Sequence, residues 1–131
     1  MQKTNQQIIQ SIYDAAKCGD LATILSFIDP EIEAFEADSL PYGGTYHGHE
    51  GFRRLFSLVF QSWRSFEFEV DDILDAGEHV VGLLRVKVGL RGSDSDVTTK
   101  VAEFWKLRGG KVIELRPFYW DTAALLGNAR P

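Results

Sequence analysis

The sequence predicts an α+β fold, with three helices in the first half and an antiparallel sheet in the second. Apolar residues recur at helical spacing as far as Trp63, and from Phe66 the spacing changes to two. Gly and Asp-rich punctuation then separates the later strands as hairpins. Helices segregated in this way pack on one face of an antiparallel sheet. The 131 residues are expected to form one domain, 1–131, without linkers or repeats.

Ile8, Ile9, Ile12, Tyr13 and Ala16 mark one stripe of a first helix over Gln6 to Cys18. Gly19 stops it, and Asp20 is a ready cap for a second helix carrying Leu21, Ile24, Leu25 and Ile28 up to Asp29-Pro30. Glu31 to Ala37 reads as a short extended stretch, and Ser39 to Gly44 as a loop punctuated by Pro41 and two glycines. The third helix has the strongest periodicity: Phe52, Leu55, Phe56, Val59, Phe60 and Trp63 share a face opposite Arg53, Arg54, Ser57 and Gln61. Phe66, Phe68 and Val70 alternate with acids in a half-buried strand. His79 to Arg91, Val97 to Arg108 and Lys111 to Trp120 follow as strands, and Asp121 caps a last short helix ending near Gly127. A bent sheet wrapped on a helix leaves a concave, mostly apolar hollow of the kind small ligands occupy.

Composition removes several classes. With 14 basic and 19 acidic residues the net charge is −5, which disfavours nucleic acid as a partner. The lone Cys18 cannot build a disulfide framework or a cysteine zinc site. No apolar run is long enough to span a membrane, and the polar N-terminus lacks a signal core, so a cytoplasmic location is expected.

Two stretches resemble the nuclear-transport-factor-2-like superfamily, in particular its SnoaL-like branch of polyketide cyclases and ketosteroid-isomerase-like enzymes. One is Cys18-Gly19-Asp20-Leu21 followed by Phe27 to Ile32; the other runs from Glu103 through Gly109-Gly110 to Phe118-Tyr119-Trp120-Asp121. Tyr42 to Gly48 is similar to the loop ahead of the family's third helix. The resemblance implies a cone-shaped roll of the cystatin-like type, with a ligand pocket at its open end. It also implies a homodimer paired through the outer sheet face, where Phe104 and Phe118 fall on the parity opposite the core.

Glu36 has the parity of Ile32 and Ala34, so a carboxyl points inward if that face is the inner one. Glu103 has the parity of Val101 and Trp105. The resemblance assigns Glu36 the proton-shuttling role and Glu103 that of a neutral carboxyl donating to a substrate oxygen. The plainer readings are a surface glutamate at position 36, with Asp38 as a nearby competing acid, and an ion pair of Glu103 with Arg85 or Lys87. The family's helix-1 hydroxyl donor falls by count on Ile12; Tyr13 is one position on, about 100° around a helix. Tyr119 shares the parity of Leu115 and Pro117 and is a second candidate donor.

Phe52, Phe56, Phe60, Trp63, Trp105 and Leu115 are expected to wall the pocket, with His47 at its edge. His47, His49 and Glu50 lack a third placed ligand for a metal, and Asp94 and Asp96 read as hairpin polar residues. No cofactor and no metal are expected. The leading expectation is an isomerase- or cyclase-type acid–base enzyme for a small apolar carbonyl compound. The alternative is a non-catalytic module of the same fold that binds hydrophobic ligands or dimerises.

Overall fold

The computed structural model describes residues 2–127. Helix α1, Asn5–Lys17, opens with a capping box in which Thr4 Oγ1 accepts from the Gln7 amide at 3.1 Å and the Gln7 side chain accepts from the Thr4 amide at 2.9 Å. It buries Ile8, Ile9, Ile12, Tyr13 and Ala15. Asp20 caps α2, Leu21–Ser26.

Helix α2 is shorter than the spacing through Ile28 predicts, because Ile28 opens strand β1, Ile28–Glu36. Ile28 pairs with Val112, and the Phe27 carbonyl accepts the Val112 amide at 2.8 Å. Sheet pairing, and the bar that Pro30 sets against helix at Asp29, take the chain out of the helix. A second difference is β2, Gly44–His47, within a stretch the sequence presents as loop. It pairs antiparallel with β1, Phe35 opposite Thr45; four residues are too few for a period to be read.

Helix α3 spans Gly48–Gln61. His49 Nε2 donates to the Ile28 carbonyl at 2.7 Å and ties the helix start to β1. Trp63 lies beyond the helix end, where it is buried with its ring edge-on to Tyr42. Strands β3 (Ser65–Ala76), β4 (His79–Gly89), β5 (Asp96–Arg108) and β6 (Lys111–Tyr119) form a meander, and Asp121 caps the short α4, Thr122–Leu125.

The six strands form one sheet in the order β2-β1-β6-β5-β4-β3. All pairs are antiparallel except β1 with β6, which run parallel, so the sheet is mixed rather than wholly antiparallel. These two strands lie far apart in the chain, and local hairpin signals do not reveal such a pairing. On β3 a bulge between Val70 and Asp72 shifts the alternation. Ile73 therefore turns inward and Leu74 outward, where it is 44% exposed.

Inner-face residues Ile32, Ala34, Val80, Leu84, Val86, Val88, Val101, Trp105, Leu107, Val112 and Leu115 form the core with the apolar stripes of α1 and α3. At Gly82 on β4 the backbone runs directly beneath the Tyr13 hydroxyl. A Cβ there would lie 2.0 Å from Tyr13 Oη and 2.7 Å from its Cζ. Gly82→Ala is expected to displace the tyrosine and to destabilise by about 1–3 kcal/mol, as overpacking does. Urea unfolding checks this.

Candidate active site

A hollow of about 120 Å³ lies between the helices and the concave side of the sheet. Helices α1 and α2 contribute Ile12, Tyr13, Ala16 and Ile24; α3 contributes Phe52, Leu55, Phe56, Val59 and Phe60. The sheet supplies Phe66, Phe68, Leu84, Val86, Val101, Trp105 and Leu115, and the polar groups Glu36, Glu103 and Tyr119. Phe60 is 39% exposed and marks the mouth, while Trp105 and Leu115 are buried at the base. Among the described residues no Lys, Arg or His lines the hollow.

The polar groups come from four elements. Trp105 Nε1 donates to Tyr13 Oη at 2.8 Å, and Tyr13 Oη donates to Glu103 Oε1 at 2.8 Å. Edge-to-face packing of the Tyr13 and Trp105 rings, 5.8 Å between centroids, holds this relay. Burial pushes the Glu103 carboxyl up to about 7, and the Tyr13 hydrogen bond opposes that rise. Tyr13 itself is raised well above the ordinary phenol value, first by burial and then by the Glu103 charge, so it stays a neutral donor.

Glu36, at the end of β1, is 9% exposed, and its buried Oε1 has no hydrogen-bond partner among the described residues. Burial, followed by the charge of Glu103, lifts its carboxyl to about 9. Both effects penalise the charged form. The Tyr119 hydroxyl pairs with that of Tyr42 at 3.1 Å. Burial raises Tyr42 to about 12 and Tyr119 well above its ordinary value.

Of the residues expected from sequence, Tyr13, Glu36, Glu103 and Tyr119 face one hollow, walled by Phe52, Phe56, Phe60, Trp105 and Leu115. Ile12 and Tyr13 both reach it, and only Tyr13 brings a hydroxyl. Two expected lining residues are elsewhere. Trp63 packs behind Tyr42, because α3 has ended before it. His47 points outward from β2, 3.2 Å from both Glu31 and Glu33, with its side chain 59% exposed. Asp38 is exposed. Arg85 and Lys87 pair with Asp71 and Asp96, not with Glu103. Sequence reasoning missed Tyr42, which sits in an aperiodic loop, and the Trp105 N–H as a partner of Tyr13.

The chain belongs to the SnoaL-like domain family, whose profile matches residues 9–115. That family includes polyketide cyclases and ketosteroid isomerases. No curated protein matches the chain. Among solved structures it is similar to a nuclear-transport-factor-2-like protein of Burkholderia thailandensis E264, at 28% identity and TM-score 0.89, covering 98% of this chain and 99% of that one. It also resembles TerC crystallised with polyporic acid, at 23% identity and TM-score 0.83, over 92% and 94% of the two chains. A ketosteroid-isomerase-like protein of Catenulispora acidiphila in complex with trimethylamine shares the fold at 14% identity and TM-score 0.79, over 98% and 96%. Among the described residues no helix is long and apolar enough to cross a membrane.

The raised carboxyls carry a stability consequence. In the unfolded chain Glu36 loses its proton near 4.5, whereas the folded protein keeps it to about 9. Through that window the native state holds the extra proton, so stability falls as pH rises, by up to about 1.4 kcal/mol per unit for each such group. Glu103 adds to the fall only up to about 7. Between pH 7 and 9 the melting temperature of the native protein should therefore decline, and that of Glu36→Gln should stay nearly level. Thermal unfolding across this range reads the difference.

Proposed function

We propose that this protein is an acid–base enzyme of the isomerase or cyclase type, acting on a compact apolar carbonyl compound. The convergence of two buried carboxyls on one apolar hollow supports this reading. General acid–base work on a carbonyl needs a carboxylate to take a proton and neutral donors to hold the oxygen. The C–H bond alpha to the carbonyl breaks and its proton goes to the carboxylate. The C–H electron pair becomes the enolate double bond, and the carbonyl π pair moves to oxygen. There a neutral carboxyl O–H, aided by the Tyr119 phenol, stabilises the enolate. Return of the proton at another carbon completes an isomerisation. Every step is a proton transfer, so no cofactor is required.

The room available resembles the roughly 150 Å³ engineered cavity that accepts benzene. A single-ring ligand therefore fits within the walls, and a larger one would extend through the mouth at Phe60. That two structural neighbours hold polyporic acid and trimethylamine is in keeping with a small-molecule site. The exposed thiol of Cys18 suits a reducing cytoplasm.

We also propose a homodimer through the outer sheet face. Phe104 and Phe118 pack edge-to-face at 5.3 Å while remaining 40% and 53% exposed, and Leu74 extends the apolar surface. Light scattering should give twice the chain mass, and Phe118→Glu should shift the protein toward monomer. A native monomer at micromolar concentration would overturn the assembly.

Alpha-proton exchange into 2-cyclohexenone and acetophenone in heavy water, followed by NMR, tests the enzyme. Glu36→Gln and Glu103→Gln should each lower the exchange rate by roughly 100- to 10,000-fold. Rates unchanged in both variants would reject the roles. Saturable binding of these ketones without exchange would favour the non-catalytic binding module.

A further inference from the structure

We infer that the two glutamates divide their roles in the reverse of the order the family resemblance implies. Glu103 is the proton-accepting carboxylate and Glu36 the proton-bearing donor, and Trp105 is the positioning residue that fixes this order. The inference rests on the acid–base reading above and assigns the direction of proton flow within it.

An indole N–H is a donor only, so the hydrogen bond from Trp105 Nε1 occupies a lone pair of Tyr13 Oη. The phenol has a single proton, and its hydrogen bond to Glu103 Oε1 at 2.8 Å uses it. Glu103 is thus an acceptor in this relay, and acceptance is strongest when the carboxyl is charged. The Trp105 hydrogen bond also makes Tyr13 more acidic and so a better donor.

Glu36 has the opposite surroundings. Its Oε1 is buried and meets no donor among the described residues. The titratable groups facing the hollow are Tyr13 from α1, Glu36 from β1, Glu103 from β5 and Tyr119 from β6, with Tyr42 behind Tyr119. The lining residues of α2, α3, β3 and β4 contribute none. With no Lys, Arg or His among the described residues lining the hollow, two carboxylates cannot both ionise cheaply in one site. The shared proton therefore stays on the carboxyl without donors, Glu36, whose O–H is free to meet a substrate oxygen. The values of about 7 for Glu103 and about 9 for Glu36 agree with this order.

In the reaction, Glu103 receives the alpha proton while the Glu36 O–H holds the carbonyl oxygen as charge develops on it. The C–H electron pair becomes the enolate double bond, the carbonyl π pair moves to the oxygen held by Glu36, and Glu103 returns the proton to another carbon.

The test needs no substrate. Protein labelled with carbon-13 at the glutamate side-chain carboxyl is titrated by NMR as native chain, Glu36→Gln and Glu103→Gln. The carboxyl remaining in Glu36→Gln should titrate clearly below the one remaining in Glu103→Gln. Equal values, or the reverse order, overturn the inference. Trp105→Phe keeps an aromatic ring but removes the N–H, and should raise the Glu103 transition by about one unit. An unchanged transition removes Trp105 from the positioning role. Should that variant fail to fold, the Trp105 indole N–H resonance of the native protein decides. It should move with the lower transition, and movement with the upper one contradicts the assignment. If the order holds and no ketone exchanges its proton, the enzyme reading alone fails.

Discussion

Burial of two carboxyl groups in one hollow, with no neutralising cation among the described residues that line it, is the constraint on which the site depends. Strands β1 and β5 lie on either side of β6. Glu103 is paired with Pro117, and continuing the parallel register of Ala34 with Leu115 by two residues brings Glu36 to the same position from the other side. The two side chains share the inner face, so both lose water, and Glu36 also feels the charge of Glu103. The protein answers this strain unequally. Glu103 receives the Tyr13 hydroxyl, with Trp105 behind it and Gly82 leaving the space. Glu36 Oε1 meets no hydrogen-bond partner among the described residues.

The walls sustain that inequality. Helix α3 presents one apolar face, and it serves two purposes. Phe52 and Leu55 are buried, whereas Phe56, Val59 and Phe60 are left partly uncovered around the opening. Phe66 and Phe68 lie on the hollow side of β3 ahead of the bulge, which reverses the alternation only from Asp72 onward. An apolar lining both selects an apolar guest and keeps the local dielectric low, which is what moves the carboxyls from their ordinary values.

The helices, the meander and the inward parity of Glu36 and Glu103 were legible because each follows from a period carried by neighbouring residues. Glu36 alternates with Ala34 and Ile32, and Glu103 with Val101 and Trp105, all of which face inward. The illegible parts depend on partners remote in the chain. Pattern alone could not say whether Ile12 or Tyr13 would approach β5, because the helix rotation is set by packing over Gly82. Strand β2 is too short to announce itself, and its pairing with β1 turns His47 away from the hollow. Trp63 continued the helical spacing after the helix itself had stopped. The parallel β1–β6 pair left no local trace at all.

Pro117 sits on an interior strand, where the missing N–H of proline interrupts a ladder. The pairing of β1 with β6 ends at Ala34 and Leu115, two residues short of it. The last residues of β1 are thus unlatched from β6 where Glu36 emerges, and a groove there is bordered by Phe35, Glu36, Asp38, Arg116 and Pro117. The acid at the head of the hollow consequently hangs from a seam in the sheet, with its backbone held by β2 instead of by the strand beside it.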